Sequence, residues 1–204
     1  MLAASANLAK LYPGLSIEPI VADYTRPFGL PPIKPAARRR AGFFPGSTIG
    51  NFAPAEATRF LRQARGLLAG GGLLIGVDLV KNPAILHAAY NDAAGVTAAF
   101  NRNILVRANA ELGADFRPER FAHYAHYNPA AQRIEMHLVS LERQAVSLLG
   151  RRFEFAEGEA IHTEDSYKHT KTGFAALAAT AGFRADADWS DSNGQFAVFW
   201  LEAA

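Results

Sequence analysis

The chain has 204 residues, 50% of them hydrophobic and 20% charged, a balance that folds around a core and excludes a disordered chain. At this length a domain buries roughly 70% of the surface its unfolded chain exposes. The absence of cysteine excludes thiol nucleophiles, thiolate metal sites and disulfides, and suits a reducing, cytoplasmic setting.

A net charge of +2, with Arg38, Arg39 and Arg40 as its sole dense basic run, argues against nucleic acid, which needs a basic stripe along one face. No run of about 18 apolar residues occurs, and the first residues lack the build of a signal peptide, so neither membrane spanning nor export is expected. In chain order, residues 3–11 read as a helix stopped by Tyr12, Pro13 and Gly14. Residues 15–22 carry Ile17, Ile20 and Val21 near strand spacing and close on Asp23 and Tyr24, before a proline-rich loop over 27–35. A short apolar strand is expected at 41–44, then a helix over 54–68 with Phe60, Leu61, Ala64, Leu67 and Leu68 on one side.

Gly70, Gly71 and Gly72 precede a nearly continuous apolar run at 73–79, the pattern of a strand buried on both faces of a parallel sheet. Its Asp78 falls at the carboxyl end, the edge where open α/β sheets bind ligands. Residues 83–112 read as two helices, followed by β-rich segments at 121–127, 133–140 and 144–149, which together form a small α+β unit. A helix at 172–181 and an aromatic strand at 196–201 are expected to return to the first sheet.

Three stretches could carry chemistry. The first is Phe43 to Phe52, where Gly46 and Gly50 permit close backbone approach and Ser47, Thr48 and Asn51 offer hydrogen bonds. It reads equally as a ligand loop or as a turn with a helix cap, and its place after a strand favours the ligand. The second is 158–169, rich in acids, hydroxyls and histidine. The separation of His162 from His169 argues against a metal site. If the stretch is extended, Glu164 and Ser166 share a face and can hold one polar ligand together; a solvated strand leading into a cap is the alternative. The third comprises Asp23 with Tyr24 after a strand and Tyr90 within a helix, placed to meet a nucleotide or to serve structure. Met136 reads as core, and Asp78, His162 and His169 as structural. No Gly-x-Ser-x-Gly elbow, Walker loop or Gly-x-Gly-x-x-Gly motif is present.

Taken together, FFPGSTIGNF at 43–52, GVDLVKNPAILHAAYNDAAGVTAAFNRNIL at 76–105, IEMHLVS at 134–140 and GEAIHTEDSYKH at 158–169 resemble the L-histidine Nα-methyltransferase family of ergothioneine biosynthesis, and the resemblance covers nearly the whole chain. It implies an S-adenosylmethionine-dependent enzyme that trimethylates histidine to hercynine. The implied fold is α/β, a Rossmann-like methyltransferase core, incomplete at the amino terminus, with an inserted α+β substrate-binding domain. The corresponding division is 1–80 for the partial core, 81–170 for the substrate domain and 171–204 for the return to the sheet.

By the same resemblance, Gly46 and Asn51 contact the amino-acid end of the substrate and Tyr90 its carboxylate. Glu164 and Ser166 hold the imidazole, with Met136 shaping the pocket, while Asp23 and Tyr24 lie at the adenine side of the cofactor. No covalent nucleophile and no metal are expected. The implied partners are L-histidine and an amino-terminal segment that carries the family's first strand and glycine-rich turn, with neither nucleic acid nor membrane. Competing readings are a truncated histidine-binding remnant that cannot hold the cofactor, a methyltransferase for another aromatic amino acid, and nucleic-acid binding through Arg38 to Arg40.

Overall fold

The computed structural model describes residues 2–32, 39–68 and 70–203, and the chain forms two units, 1–38 and 39–204. In the first, α1 (Leu2–Leu11) is closed by hydrogen bonds from the N–H of Tyr12 to the Leu8 carbonyl and of Leu15 to the Tyr12 carbonyl, both 2.9 Å. The strand expected over 15–22 is not formed. No strand is assigned there among the described residues, and Leu15 and Val21 are exposed, because near-strand spacing does not make a strand without a neighbouring strand to complete its ladder. Asp23 instead opens a tight turn. Its carboxylate accepts from the Thr25 N–H at 2.9 Å and the Thr25 hydroxyl at 2.6 Å, which together hold it below the usual aspartate range.

The second unit begins with β1 (Ala41–Phe44), a 3-10 turn at Thr48–Asn51, α2 (Pro54–Leu68) and β2 (Gly72–Asp78). Next come α3 (Pro83–Tyr90), α4 (Val96–Leu112), β3 (Phe121–Asn128), β4 (Arg133–Ser140), β5 (Gln144–Leu148), β6 (Arg151–Phe155) and β7 (Ala160–Tyr167). The unit ends with α5 (Lys171–Thr180), β8 (Phe183–Ser190) and β9 (Phe196–Ala203). A four-stranded sheet runs β1-β2-β9-β8, with β1 parallel to β2 and β9 antiparallel to it. The apolar run of β2 is buried by Ile49, Leu61, Phe174, Phe199 and Leu201, so α2 and α5 share one core with the strands of this sheet. This mixed α/β sheet is consistent with the Rossmann-like core that the family resemblance implies.

A second sheet, β3-β4-β7, is antiparallel throughout. One face covers two small cores, Leu86 with Ala125, Ile134 and Met136, and Leu105 with Phe121 and Leu138. β5 falls on the β-rich segment expected at 144–149, whereas its hairpin partner β6 and β8 were not expected. The residues of these two strands are largely exposed, so apolar alternation, the signal that reveals a half-buried strand, is weak there. The two sheets are stitched where β2 ends: the His169 N–H donates to the Asp78 carbonyl and the Val80 N–H to the His169 carbonyl, both at 3.0 Å. That bridge lays the carboxyl end of β7 beside the carboxyl end of β2.

Candidate active site

The pocket is built at this junction. It has a volume of about 410 Å³ and is lined from three directions: by Gly46, Ser47, Thr48 and Asn51 after β1, by Asp78 and Phe196 from the first sheet, and by Tyr90, Glu164, Ser166 and Lys168 from the second part. The loop after β1 turns through Gly46 at φ +73° and Ser47 at φ +57°. Ser47 is held in this left-handed conformation, which disfavours a side chain by roughly 1–2 kcal/mol, by the Asp78 N–H donating to its Oγ at 2.8 Å. The following turn presses on β7. A Cβ on Gly50 would stand 2.8 Å from the Tyr167 carbonyl oxygen, so glycine is what allows Asn51 to reach Glu164 with a side-chain hydrogen bond.

Tyr90 is aimed by the end of α3. Asn91 pairs with the Ala125 backbone of β3, accepting from its N–H at 3.1 Å and donating to its carbonyl at 2.9 Å. On the other side of the pocket, strand alternation sets Glu164, Ser166 and, just past β7, Lys168 on one face. Lys168 is only 2% exposed. Its ammonium donates to the Tyr90 hydroxyl and to Ser166 Oγ, both at 2.8 Å, and pairs with Asp78 Oδ2 at 2.9 Å. The Tyr90 hydroxyl in turn donates to Ser166 Oγ at 2.9 Å, and Lys81 pairs with the other Asp78 oxygen at 2.5 Å.

Glu164 stands half-buried at the edge of this network. Burial pushes its carboxyl above the ordinary 4.5, against the opposing pull of Lys168 and of the Asn51 hydrogen bond. The arrangement offers an anionic acceptor, hydroxyls and a buried cation, groups that can together hold a small polar molecule.

The structure brings five of the expected substrate residues together: Gly46, Asn51, Tyr90, Glu164 and Ser166. Met136 is 2% exposed and packs in the core with Leu86, Ala125 and Ile134; it is the register partner of Glu164 but does not line the cavity. Asp23 and Tyr24 belong to the first unit, whereas the pocket is made wholly from the second. Lys168 and Asp78, read as unassigned or structural, join the site, and Ser47 anchors its loop. The repeat Glu164-x-Ser166-x-Lys168 was the signal for Lys168, visible once the stretch is read as a strand.

His162 and His169 are not brought together. His169 meets the edge of Phe174, with ring centroids 5.4 Å apart, while His162 lies on the outer face of β7 and stacks on His137 at 4.7 Å. There, donor atoms of Glu135, His137 and His162 fall within 4.8 Å of one another. The Glu135 carboxylate is already held by Arg133 at 2.8 Å and by Asn128 at 2.9 Å, and His162 Nε2 by Asp165 at 2.8 Å, so this face is an ion-paired ladder. Of the arginine run, Arg38 lies outside the described residues, Arg39 pairs with Glu202, and Arg40 donates to the Leu67 carbonyl at 2.8 Å.

The family described as histidine-specific methyltransferase, SAM-dependent, matches residues 1–203. A histidine N-alpha-methyltransferase of Mycolicibacterium smegmatis is 42% identical over 198 residues, 96% of this chain and 61% of the relative. One of Mycobacterium tuberculosis is 40% identical over 199 residues, with the same coverage of 96% and 61%. The ergothioneine biosynthesis protein 1 of Neurospora crassa is 29% identical over 155 residues, 72% of this chain and 17% of that protein. The chain thus spans 61% of the length of each of the two bacterial relatives. With the match running from end to end and the pocket residues lying within it, the chain belongs to the histidine-specific, S-adenosylmethionine-dependent methyltransferase family.

Proposed function

We propose that the pocket binds L-histidine for S-adenosylmethionine-dependent methylation of its α-amino group, through to the trimethylated betaine hercynine, the first step of ergothioneine biosynthesis. The observation that carries this reading is the pair on β7: an acceptor, Glu164, two residues from a hydroxyl, Ser166, on one wall of a cavity of amino-acid size. An imidazole fills such a pair, giving its N–H to the carboxylate and taking a proton bond from the hydroxyl at the other nitrogen. Asn51 and the Gly46 backbone meet the amino-acid end, and Tyr90, its hydroxyl held between Lys168 and Ser166, lies beside the carboxylate. Lys81 and Lys168 outweigh Asp78 by one formal charge there, which suits an anionic group. Met136 supports the wall from behind.

The residues of the first unit fit a nucleoside. Asp23 is held as a carboxylate by its hydrogen bonds, able to accept from a hydroxyl or an amine, and Tyr24 offers a ring 46% exposed for stacking. When bound, S-adenosylmethionine supplies the methyl group on its sulfonium. The task of this chain's residues is positioning: a neutral α-amine must present its lone pair in line, and holding both ends of the amino acid achieves that, an effect worth up to roughly 7–11 kcal/mol in favourable cases. No residue need form a covalent bond to the substrate.

Calorimetric titration of the purified chain tests the reading. L-Histidine should bind, and 3-thienylalanine, a ring of similar size with no N–H, should bind at least roughly tenfold more weakly because Glu164 is left unpaired. Equal affinities for the two would refute the assignment of the β7 pair.

A further inference from the structure

We infer that Lys168 is a positioning residue that locks the Ser166 hydroxyl as a donor and thereby makes the pocket select the neutral form of the imidazole. The inference rests on the histidine reading above and deepens it. A serine hydroxyl has one proton and two lone pairs. At Ser166 both lone pairs are taken, one by the Lys168 ammonium at 2.8 Å and one by the Tyr90 hydroxyl at 2.9 Å. The proton is what remains to offer, so the partner of Ser166 must be an acceptor.

Lys168 is fixed in this role. Its three protons go to Ser166, Tyr90 and Asp78, at 2.8, 2.8 and 2.9 Å, and its side chain is 1% exposed, so no water competes for them. Glu164, two residues away on the same face, accepts. A ring spanning the two therefore needs one N–H and one bare nitrogen, the pattern of a neutral imidazole. The imidazolium carries two donors, and its second would meet the Ser166 proton and the Lys168 charge head on.

Other charged or titratable groups face this wall: Asp78 at the end of β2 with Lys81 after it, Tyr90 of α3, His169 next to Lys168, and Arg107 of α4, which shares a neighbouring cavity with Glu164. The test must separate their titration from that of the ligand. L-Histidine and 3-(1,2,4-triazol-3-yl)alanine are titrated into the purified chain at pH 7.5 and 5.5. The triazole keeps an N–H and a bare nitrogen and stays neutral at both values.

Because the imidazole titrates near 6.5, the histidine Kd of the parent should rise about tenfold from pH 7.5 to 5.5, while the triazole Kd changes by less than about twofold. In Lys168→Met a lone pair of Ser166 is released and a positive charge removed, so the rise for histidine should shrink to below about threefold. Tyr90→Phe, which frees the other lone pair and weakens histidine binding at both pH values, should flatten the slope the same way and serves if the lysine variant does not fold. A parent triazole Kd that rises with the histidine value would overturn the inference, since the slope would then belong to protein groups. So would folded variants that keep the parental slope. A parent that binds no histidine would overturn the histidine reading, and the inference with it.

Discussion

Asp78→Ala should destabilise the protein by about 3–5 kcal/mol, the loss expected when one partner of a buried ion pair is removed and the other charge is left behind. Lys168 is the stranded partner, with 1% of its side chain exposed against 19% for Asp78. The reverse change should cost much less. In Lys168→Met, Asp78 keeps Lys81 at 2.5 Å and some water, and Tyr90 still donates to Ser166. The double variant should recover part of the loss, because it no longer buries an unpaired ammonium. Denaturant midpoints with an unchanged slope would measure all three; equal losses for the two single variants would show that the burial of Lys168 has been misread.

Glu164 is expected to separate stability from binding. Glu164→Ala should weaken histidine binding by about 1.5–3 kcal/mol, roughly 10–150-fold, the range for a hydrogen bond to a charged group, whereas Met136→Leu, a volume-conserving change behind the wall, should alter the Kd by less than about threefold. Comparable losses in the two variants would count against the imidazole contact. The stability effect has the opposite sign. Burial raises the Glu164 carboxyl above 4.5, so below that value it is protonated in both folded and unfolded chains and no charge is buried. As pH rises past 4.5 the unfolded chain ionises first, and folding stability falls until the folded carboxyl ionises as well. The penalty is then fully present at neutral pH. Glu164→Gln, whose amide oxygen still accepts from Asn51, should therefore be more stable than the parent at pH 7 and equal to it near pH 4, while binding histidine less well. A Gln variant less stable than the parent at pH 7 would contradict this assignment of the shift.

Much of the core was readable because its signals are local. The apolar run of β2 with Asp78 at its end, the glycine stop before it and the periodicity of α2 all report burial directly. The strand expected at 15–22 failed because a strand is a property of a pair, and apolar spacing cannot supply the neighbour. β6 and β8 were hidden for the complementary reason: their ladders are satisfied, but their side chains face water and carry no pattern. In the site, Gly46, Asn51, Tyr90, Glu164 and Ser166 came from the family resemblance; residue types alone left the loop and the β7 stretch open between ligand and cap. Lys168 and Asp78 were not assigned. A lysine is ordinarily a solvated surface residue, and only the His169 bridge to β2, a long-range contact, buries this one against an aspartate from the other sheet.

If this chain positions histidine for methyl transfer to its α-amine, mass spectrometry of the purified chain incubated with L-histidine and S-adenosylmethionine should detect mono-, di- and trimethylated histidine, with the trimethylated product accumulating and all three falling in Glu164→Ala. A folded chain that binds histidine and yields no methylated product would contradict this reading, and would leave a histidine-binding protein without the transfer.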